Sequence, residues 1–331
     1  MQPLAGFDEI YVCCPGGLVS GGPEALHQLV DALRRCGKAA FISYWPESGQ
    51  FDIPPFYREY NVEQRPLRDA DGCLVVFPEV LLHEANRLTR SRIAIWWLSV
   101  DFYFQSLYFH DHLRRRDLSV RSRLRSVQDS DGLRAHRRSF HLAQSFYAQR
   151  FLTERRLSGP ILCGYINDEY VTTEGGIVNR HREEIIAYNP MRGMEVTEAL
   201  MRLAPDAEWV AISDMGRAEV QSLLKQARLY VDFGSHPGRQ RLPREAAISG
   251  ACVVTGRQGS AAFVEDVPIP DEWRIDETRP DFHARFAEIA SMILKDHQHQ
   301  RSRLVEYRAV IRSEKAKFLD QVDRLFIGGA A

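Results

Sequence analysis

Hydrophobic positions along the chain alternate between short apolar runs and stretches with a helical repeat. Ile10–Cys14 is an apolar run, and Ala39–Tyr44 is the next. The apolar residues between them recur at the i, i+3, i+4, i+7 spacing of one buried helix face, namely Leu26, Leu29, Val30 and Leu33. This pattern predicts a β-α-β unit near the start of the sequence.

The same alternation continues to the end of the chain. Further apolar runs that we predict as strands are Cys73–Phe77, Ile93–Leu98, Ile185–Tyr188, Trp209–Ile212, Leu229–Phe233 and Ala251–Thr255. Segments with a helical repeat are Phe140–Leu152, Glu195–Leu203, Arg217–Ala227, Pro243–Ser249, Phe282–Leu294 and Arg301–Phe326. Strands that alternate with helices predict an α/β fold with mostly parallel, doubly wound sheets.

The length of 331 residues favours more than one domain. The chain turns through Pro160 and Gly164, where we place the approach to a hinge. We therefore predict two Rossmann-like domains, residues 1–165 and 166–305, that face each other across a cleft. Residues 306–331 are predicted to form a C-terminal helix that packs back toward the first domain.

Composition narrows the classes of protein that remain. A net charge of −1 argues against a globally basic nucleic-acid binder, so no nucleic-acid partner is expected. No run reaches the ~18 apolar residues of a membrane span, and the first residues lack the pattern of a secretory signal. The six cysteines contain no CxxC pair, which favours reduced thiols over a zinc site. We expect a cytoplasmic protein.

One stretch is strongly basic. Residues 111–138 hold nine arginines against four aspartates. We predict that residues 114–138 contact an anionic surface, either membrane lipid headgroups or the phosphates of an acceptor. The alternative is a solvated loop. The first interpretation places the protein peripherally at the inner membrane face.

A glycine-rich turn, Gly16–Gly22, joins the first predicted strand to the first helix. Backbone amides and the positive end of a helix favour an anion at such a position. The spacing does not match the GxGxxG pattern of dinucleotide-binding folds, which argues against a dehydrogenase. A tight turn without a ligand is the alternative.

A second candidate site lies in the segment Gly234–Ala247. Pro243 predicts a helix start and places Glu245 in the first turn, at the carboxyl edge of the preceding strand. Ligands of open α/β sheets bind at that edge, and a carboxylate there suits the hydroxyl groups of a ribose. The alternative is a glutamate that only complements the helix dipole.

Several segments together resemble GT-B glycosyltransferases related to family four. The resemblance rests on Gly21-Gly22-Pro23-Glu24, Gln144-Ser145-Phe146, Asn189-Pro190-Met191-Arg192-Gly193, Pro243-Arg244-Glu245-Ala246 before the Ala251–Thr255 strand, and Gly256–Ser260. They follow the order of that family and cover most of the chain. The resemblance implies a GT-B fold, a nucleoside-diphosphate sugar as donor, and retention of anomeric configuration.

The same resemblance implies roles for single residues. Arg192 would hold the donor diphosphate, Glu245 the ribose, and the Gly21-Gly22 turn the sugar-phosphate region. The remaining donor-site candidates are His236, Arg239, Arg241, Gly259 and Ser260. The alternative for Arg192 is a surface arginine paired with Glu195 or Glu198. The family often has an acidic residue eight positions before the ribose-binding glutamate, where this chain has Pro237.

Asp101 follows the run Trp96–Val100 and is the candidate for contact with the acceptor hydroxyl or the donor sugar. Its alternative role is to cap the next helix. Neither Asp69-Ala70-Asp71 nor Asp129-Ser130-Asp131 directly follows a predicted strand, as a metal-binding Asp-x-Asp pair would. We therefore predict no metal site and no other cofactor.

These observations predict a metal-independent hexosyl- or related transferase. It would move a sugar from a nucleoside-diphosphate sugar to a glycan or lipid-linked acceptor. The setting, bacterial surface polysaccharide synthesis, is implied by the family resemblance alone. Two alternatives share the fold. One is a nucleotide-sugar 2-epimerase, which would turn over without an acceptor. The other is a non-catalytic, glycosyltransferase-like binding subunit.

Overall fold

The computed structural model describes residues 4–106, 133, 135–171 and 182–328. The chain divides into two compact units, Met1–Gly164 with Ala316–Ala331, and Tyr165–Lys315. Each unit contains a parallel β-sheet with helices, so the predicted α/β class is confirmed. No helix in these described ranges is long and apolar enough to cross a bilayer.

The sheet of the first unit has the order β2-β1-β3-β4-β5, and all its pairings are parallel. Its strands are β1 (Glu9–Pro15), β2 (Ala39–Trp45), β3 (Cys73–Pro78), β4 (Arg92–Trp97) and β5 (Phe140–Ala143). Helix α1 (Gly21–Arg35) joins β1 to β2. Its predicted apolar face is fully buried, which confirms the first β-α-β unit.

Phe140–Leu152 is not one helix, as the helical repeat predicted. Its first residues form β5, which pairs with β4, and helix α2 (Phe146–Glu154) begins only afterwards. The Ser145 side chain accepts a hydrogen bond from the Ala148 amide at 3.0 Å and so caps α2. Four residues next to a helix, Phe140–Ala143, carry no local sign of the distant strand with which they pair.

The second unit has a four-stranded parallel sheet in the order β7-β6-β8-β9. The strands are β6 (Glu183–Tyr188), β7 (Glu208–Ala211), β8 (Ala227–Asp232) and β9 (Cys252–Thr255). The helices up to β9 are α3 (Asp168–Val171), α4 (Met194–Met201), α5 (Arg217–Gln226) and α6 (Arg241–Ser249). The buried apolar residues of this sheet and of the helices around it form one core.

The chain ends in helices α7 (Phe282–Lys295), α8 (His297–Ser302) and α9 (Val305–Val322), followed by a π-helical turn, Asp323–Ile327. The predicted C-terminal helices are thus confirmed. The end of α9 belongs to the first unit, where Phe318 stacks on Trp96 with ring centroids 6.4 Å apart. Gln321 also accepts a hydrogen bond from the Cys163 amide at 2.8 Å.

Candidate functional site

Arg192 lies in the loop between β6 and α4, at the carboxyl edge of the second unit's sheet. Its Nη1 donates to the Ser235 carbonyl oxygen at 2.9 Å, and its Nη2 lies 3.3 Å from Asp232 Oδ2. About a fifth of the side chain, 21%, is exposed. The guanidinium group is therefore anchored on one side and open to solvent on the other.

Asp232, the last residue of β8, has a fully buried side chain. Tyr230 donates its hydroxyl hydrogen to Asp232 Oδ2 at 2.8 Å, and burial raises the pKa of that tyrosine well above its usual value. Asp232 is not among the candidate residues predicted from the sequence. A carboxylate inside an apolar strand was the available signal, because a buried charge needs a partner.

Gly193 brings the Arg192 loop against the loop that follows β8. It adopts a left-handed conformation, with φ of +58°, at the cap of α4. A Cβ atom at this position would lie only 2.4 Å from the Phe233 carbonyl oxygen. The two backbones can meet because this residue has no side chain.

The loop after β9 holds the loop after β8 from the other side. The Ser260 amide donates to the His236 carbonyl oxygen at 2.9 Å, and the Ser260 hydroxyl donates to Gly238 at 2.6 Å. A Cβ on Gly259 would lie 2.1 Å from the His236 carbonyl oxygen. His236, Gly259 and Ser260 were predicted at the donor site. In this structure they shape the loop after β8.

His236 itself is fully buried, and its Nε2 lies 3.1 Å from the Asp232 carbonyl oxygen. Burial lowers the pKa of the imidazole, so the neutral form is favoured. A neutral ring beside Arg192 adds no positive charge to the site. His236 therefore supports the loop after β8 through its contact with the Asp232 backbone.

Arg239 is held by a glutamate from helix α9. Arg239 Nη2 lies 2.8 Å from Glu314 Oε1, and Arg244 Nη1 lies 2.7 Å from Glu314 Oε2. The Glu314 side chain is almost completely buried between these two cations. Two arginines on one buried carboxylate fix the loop that leads into α6. No local pattern in the sequence indicates this distant contact.

Helix α6 begins at Arg241, so Pro243 is its third residue and Glu245 lies beyond the first turn. The predicted helix start at Pro243 is therefore wrong by two residues. Glu245 is buried, with Arg241 Nε 2.8 Å from its Oε1 atom. The Arg241 side chain is 32% exposed. The structure thus brings these two predicted donor-site residues together on one helix.

In the first unit, the Gly21-Gly22 turn forms the start of α1 at the carboxyl edge of the sheet. Neither glycine has a positive φ angle. A Cβ on Gly21 would meet nothing within 4 Å, and one on Gly22 would lie 3.9 Å from Leu98. The backbone does not require glycine here.

Asp101 follows β4 at the same edge of the first unit's sheet. The helix-capping role belongs to Ser99, whose hydroxyl accepts from the Phe102 amide at 3.2 Å. Asp101 instead accepts a hydrogen bond from the Tyr147 hydroxyl at 2.8 Å. Burial and the adjacent Asp101 raise the pKa of Tyr147, so the phenol remains a donor.

Glu79 is buried next to the strand end that leads to Asp101. Its Oε2 atom accepts a hydrogen bond from the Leu98 amide at 2.8 Å. Burial raises the pKa of this carboxyl group to about 8, although the hydrogen bonds from backbone amides favour the charged form. Glu79 is not among the candidate residues predicted from the sequence, where it follows the apolar strand β3 and is the first residue of a 3₁₀ helix, Glu79–Arg87.

The first Asp-x-Asp triplet has a structural role. Asp69 accepts hydrogen bonds from the backbone amides of Thr89, Arg90 and Ser91, and Asp71 pairs with Arg90. Within the described ranges, no group of three His, Cys, Asp or Glu residues is arranged to hold a metal ion. Asp129–Asp131 and most of the predicted anion-contacting stretch 114–138 lie outside the described residues.

No protein-family model matches the chain, and no curated protein matches it significantly in sequence. Solved structures do match. A UDP-forming α,α-trehalose-phosphate synthase from Burkholderia xenovorans has a TM-score of 0.55 at 11% identity, covering 96% of this chain and 99% of that chain. The starch synthase IV catalytic domain from Arabidopsis thaliana, bound to ADP and acarbose, has a TM-score of 0.53 at 8% identity, covering 96% and 100%.

A third similar structure is WaaG, a glycosyltransferase involved in lipopolysaccharide biosynthesis. Its TM-score is 0.52 at 12% identity, with 96% of this chain and 99% of that chain covered. These likenesses extend over almost the whole chain. The chain therefore has the GT-B fold, as predicted. At these identities the likeness establishes the fold alone.

Proposed function

We propose that this chain is a glycosyltransferase that moves a sugar from a nucleoside-diphosphate sugar to a glycan or lipid-linked acceptor. The observation that carries the proposal is the position of Arg192. It lies at the carboxyl edge of a parallel sheet, anchored by Asp232 and Ser235 and partly open to solvent. Ligands of open α/β sheets bind at this edge.

The chemistry requires a group that stabilises the leaving diphosphate. When the bond between the anomeric carbon and the phosphate oxygen breaks, negative charge develops on the diphosphate. The Arg192 guanidinium group would donate to it, together with backbone amides at the start of α4, and the interaction would strengthen in the transition state. No metal has a role in this proposal. Retention of configuration is proposed from the family resemblance.

The nucleoside is assigned to α6. Glu245 would accept hydrogen bonds from the ribose hydroxyl groups once its buried side chain is reached from the loop that precedes the helix. Arg241, which pairs with Glu245 and is partly exposed, would contact the phosphates or orient the carboxylate. In this assignment the first residues of α6 recognise both the ribose and the phosphates of the nucleotide.

The acceptor is assigned to the first unit. Asp101, held by Tyr147, would accept a hydrogen bond from the acceptor hydroxyl as that oxygen attacks the anomeric carbon. We propose surface polysaccharide synthesis as the setting, and a peripheral position at the inner face of the membrane through residues 114–138. From the family resemblance, we propose that the Gly21-Gly22 turn holds the sugar-phosphate region of the donor.

A second candidate function is a non-catalytic subunit that binds a nucleotide without transferring a sugar. Two observations favour it. Pro237 stands where the family often has an acid, and Arg239 is paired with the buried Glu314. In this candidate function the loop after β8 would position Arg192 but would offer no group to the donor sugar.

Thermal-shift measurements with UDP, ADP and GDP, and with their sugars, test the proposal first. A nucleotide that binds only the folded state raises the melting temperature. Sugar release or transfer from the stabilising donor would then separate the transferase from the binding subunit. Conversion of the donor to its 2-epimer without an acceptor would identify an epimerase. No stabilisation by any nucleotide would contradict all three assignments.

A further inference from the structure

A separate group of arginines lies at the opposite edge of the second unit's sheet. Arg182 directly precedes β6, and Gly250 directly follows α6 and leads into β9. A Cβ on Gly250 would lie 2.6 Å from Arg182 Nη2 and 3.4 Å from Arg301 Nε. Arg308 joins them, since its Nη1 donates to the Arg301 carbonyl oxygen at 3.0 Å.

These three arginines have no carboxylate partner among the described residues. Other arginines nearby do have one, because Arg228 pairs with Glu184 at 2.8 Å and Arg303 pairs with Glu272. The adjacent Cys252 thiol does not supply a negative charge. Burial raises its pKa to about 12, so it stays protonated at neutral pH.

Helix ends neutralise only part of this charge. Arg182 Nη1 donates to the carbonyl oxygens of Leu224 and Ala227 at 2.9 and 2.6 Å, and its Nη2 donates to Ser249. These contacts cap the ends of α5 and α6, each equivalent to about −0.5 of a charge. Among the residues that the structure describes, roughly one negative charge thus faces three positive charges.

The excess charge is unfavourable in the free protein. Burial and neighbouring arginines lower the pKa of both Arg182 and Arg308 to about 10, so both groups remain charged at neutral pH. Arg308 is only 7% exposed, which limits the solvation of its charge. An anion with two negative charges would relieve the repulsion and accept several charge-assisted hydrogen bonds.

We infer that Arg182, Arg301 and Arg308 form a binding site for a small, phosphate-bearing anion. The planar guanidinium group matches the geometry of phosphate oxygens, and the excess of about two positive charges matches a phosphate dianion. The strands of this sheet run in parallel from this edge to the edge that carries Arg192. The site is therefore separate from the one assigned to the sugar donor.

The test is a titration with inorganic phosphate at constant ionic strength. The melting temperature is measured at each phosphate concentration. Phosphate should raise the melting temperature of the wild type. Arg301→Gln should reduce the phosphate affinity by at least about tenfold. Arg279→Gln removes the same charge from a surface ion pair with Asp281 and should respond as the wild type does.

A second measurement excludes a merely structural role for Arg301. Without phosphate, Arg301→Gln should melt at the same temperature as the wild type or higher, because like-charge repulsion is relieved. A lower melting temperature in phosphate-free buffer, or an equal phosphate response in both proteins, would overturn the inference. Arg301-dependent binding to phosphatidylglycerol vesicles without a response to free phosphate would also overturn it, since the phosphate group would then belong to a lipid.

Discussion

The Nη2 atom of Arg192 lies 3.3 Å from Oδ2 of Asp232, a carboxylate that is completely buried at the end of β8. The cation that we assign to the donor phosphates is thus positioned by an acid that binds no ligand itself. The pair also matters for the stability of the fold. Removing only one partner from a buried ion pair leaves an uncompensated charge, which destabilises a protein by about 3–5 kcal/mol.

The first prediction concerns Asp232. Asp232→Asn keeps the size of the side chain and its contact with Tyr230 but removes the charge that orients Arg192. We expect turnover to fall by about tenfold, because the guanidinium group loses a charge-assisted hydrogen bond. Steady-state kinetics with the preferred donor measure this. Tyr230→Phe is the matched control and should cost less, since Arg192 keeps its carboxylate. Equal losses in both variants would show that Asp232 only supports the strand.

The second prediction concerns the nucleoside. Glu245→Gln should weaken nucleotide binding by about ten- to a hundredfold, because a hydrogen bond to a charged group is worth ~1.5–3 kcal/mol. Isothermal titration calorimetry with the preferred nucleotide measures the affinity. Arg241→Gln tests whether the effect comes from the carboxylate or from its ion pair. Unchanged affinity in Glu245→Gln would show that Glu245 supports the helix and does not bind the nucleotide.

The fold was predictable because it follows from local periodicity. The buried face of α1 and the apolar runs of β1, β3 and β8 are visible in the sequence, and the order of motifs indicated the GT-B fold. Strand β5 was missed because its four residues are defined by pairing with β4, which the local pattern cannot show.

The candidate site was predictable only in part, for a related reason. Arg192 and Glu245 lie in motifs with a recognisable local order. Their environment comes from residues that are distant in sequence. Glu314 holds Arg239 from α9, and Glu277 accepts a hydrogen bond from the Gly234 amide at 2.9 Å. No spacing rule connects such positions, so a contact of this kind appears only once the chain is folded.

The third prediction concerns the acceptor. Asp101→Asn should lower turnover by at least about tenfold while leaving donor affinity unchanged, because it removes a base from the acceptor side. Tyr147→Phe should give a smaller loss, since it only releases Asp101 from its hydrogen bond. Kinetics at saturating donor, with the acceptor varied, separate these effects. A loss of nucleotide affinity in Asp101→Asn would move this residue to the donor site.

The fourth prediction concerns stability and pH. Glu79 has a folded-state pKa of about 8, above its usual value of 4.5, so the folded protein holds a proton that the unfolded chain has lost between these pH values. Stability from this group is therefore lost as the pH rises from about 5 to 8. Glu79→Gln removes the titration. The melting temperature of Glu79→Gln minus that of the wild type should therefore increase as the pH rises over that range. A constant difference would show that the carboxyl group does not titrate there.

The fifth prediction concerns metal ions. If Arg192 and the amides of α4 stabilise the leaving diphosphate, activity should survive extensive treatment with EDTA. The measurement compares initial rates before chelation, after chelation, and after addition of magnesium or manganese. Complete loss in EDTA with recovery on adding a metal would show that the leaving group needs a divalent cation, and it would contradict the proposed chemistry.

The most direct test of the account compares the wild type with the double variant Arg192→Gln, Asp232→Asn. Replacing both partners leaves no buried unpaired charge, so the melting temperature should stay close to that of the wild type. Nucleoside diphosphate affinity and transfer rate, measured by calorimetry and kinetics, should both fall by at least about tenfold. A stable double variant with wild-type affinity and turnover would contradict the assignment of Arg192 to the donor diphosphate.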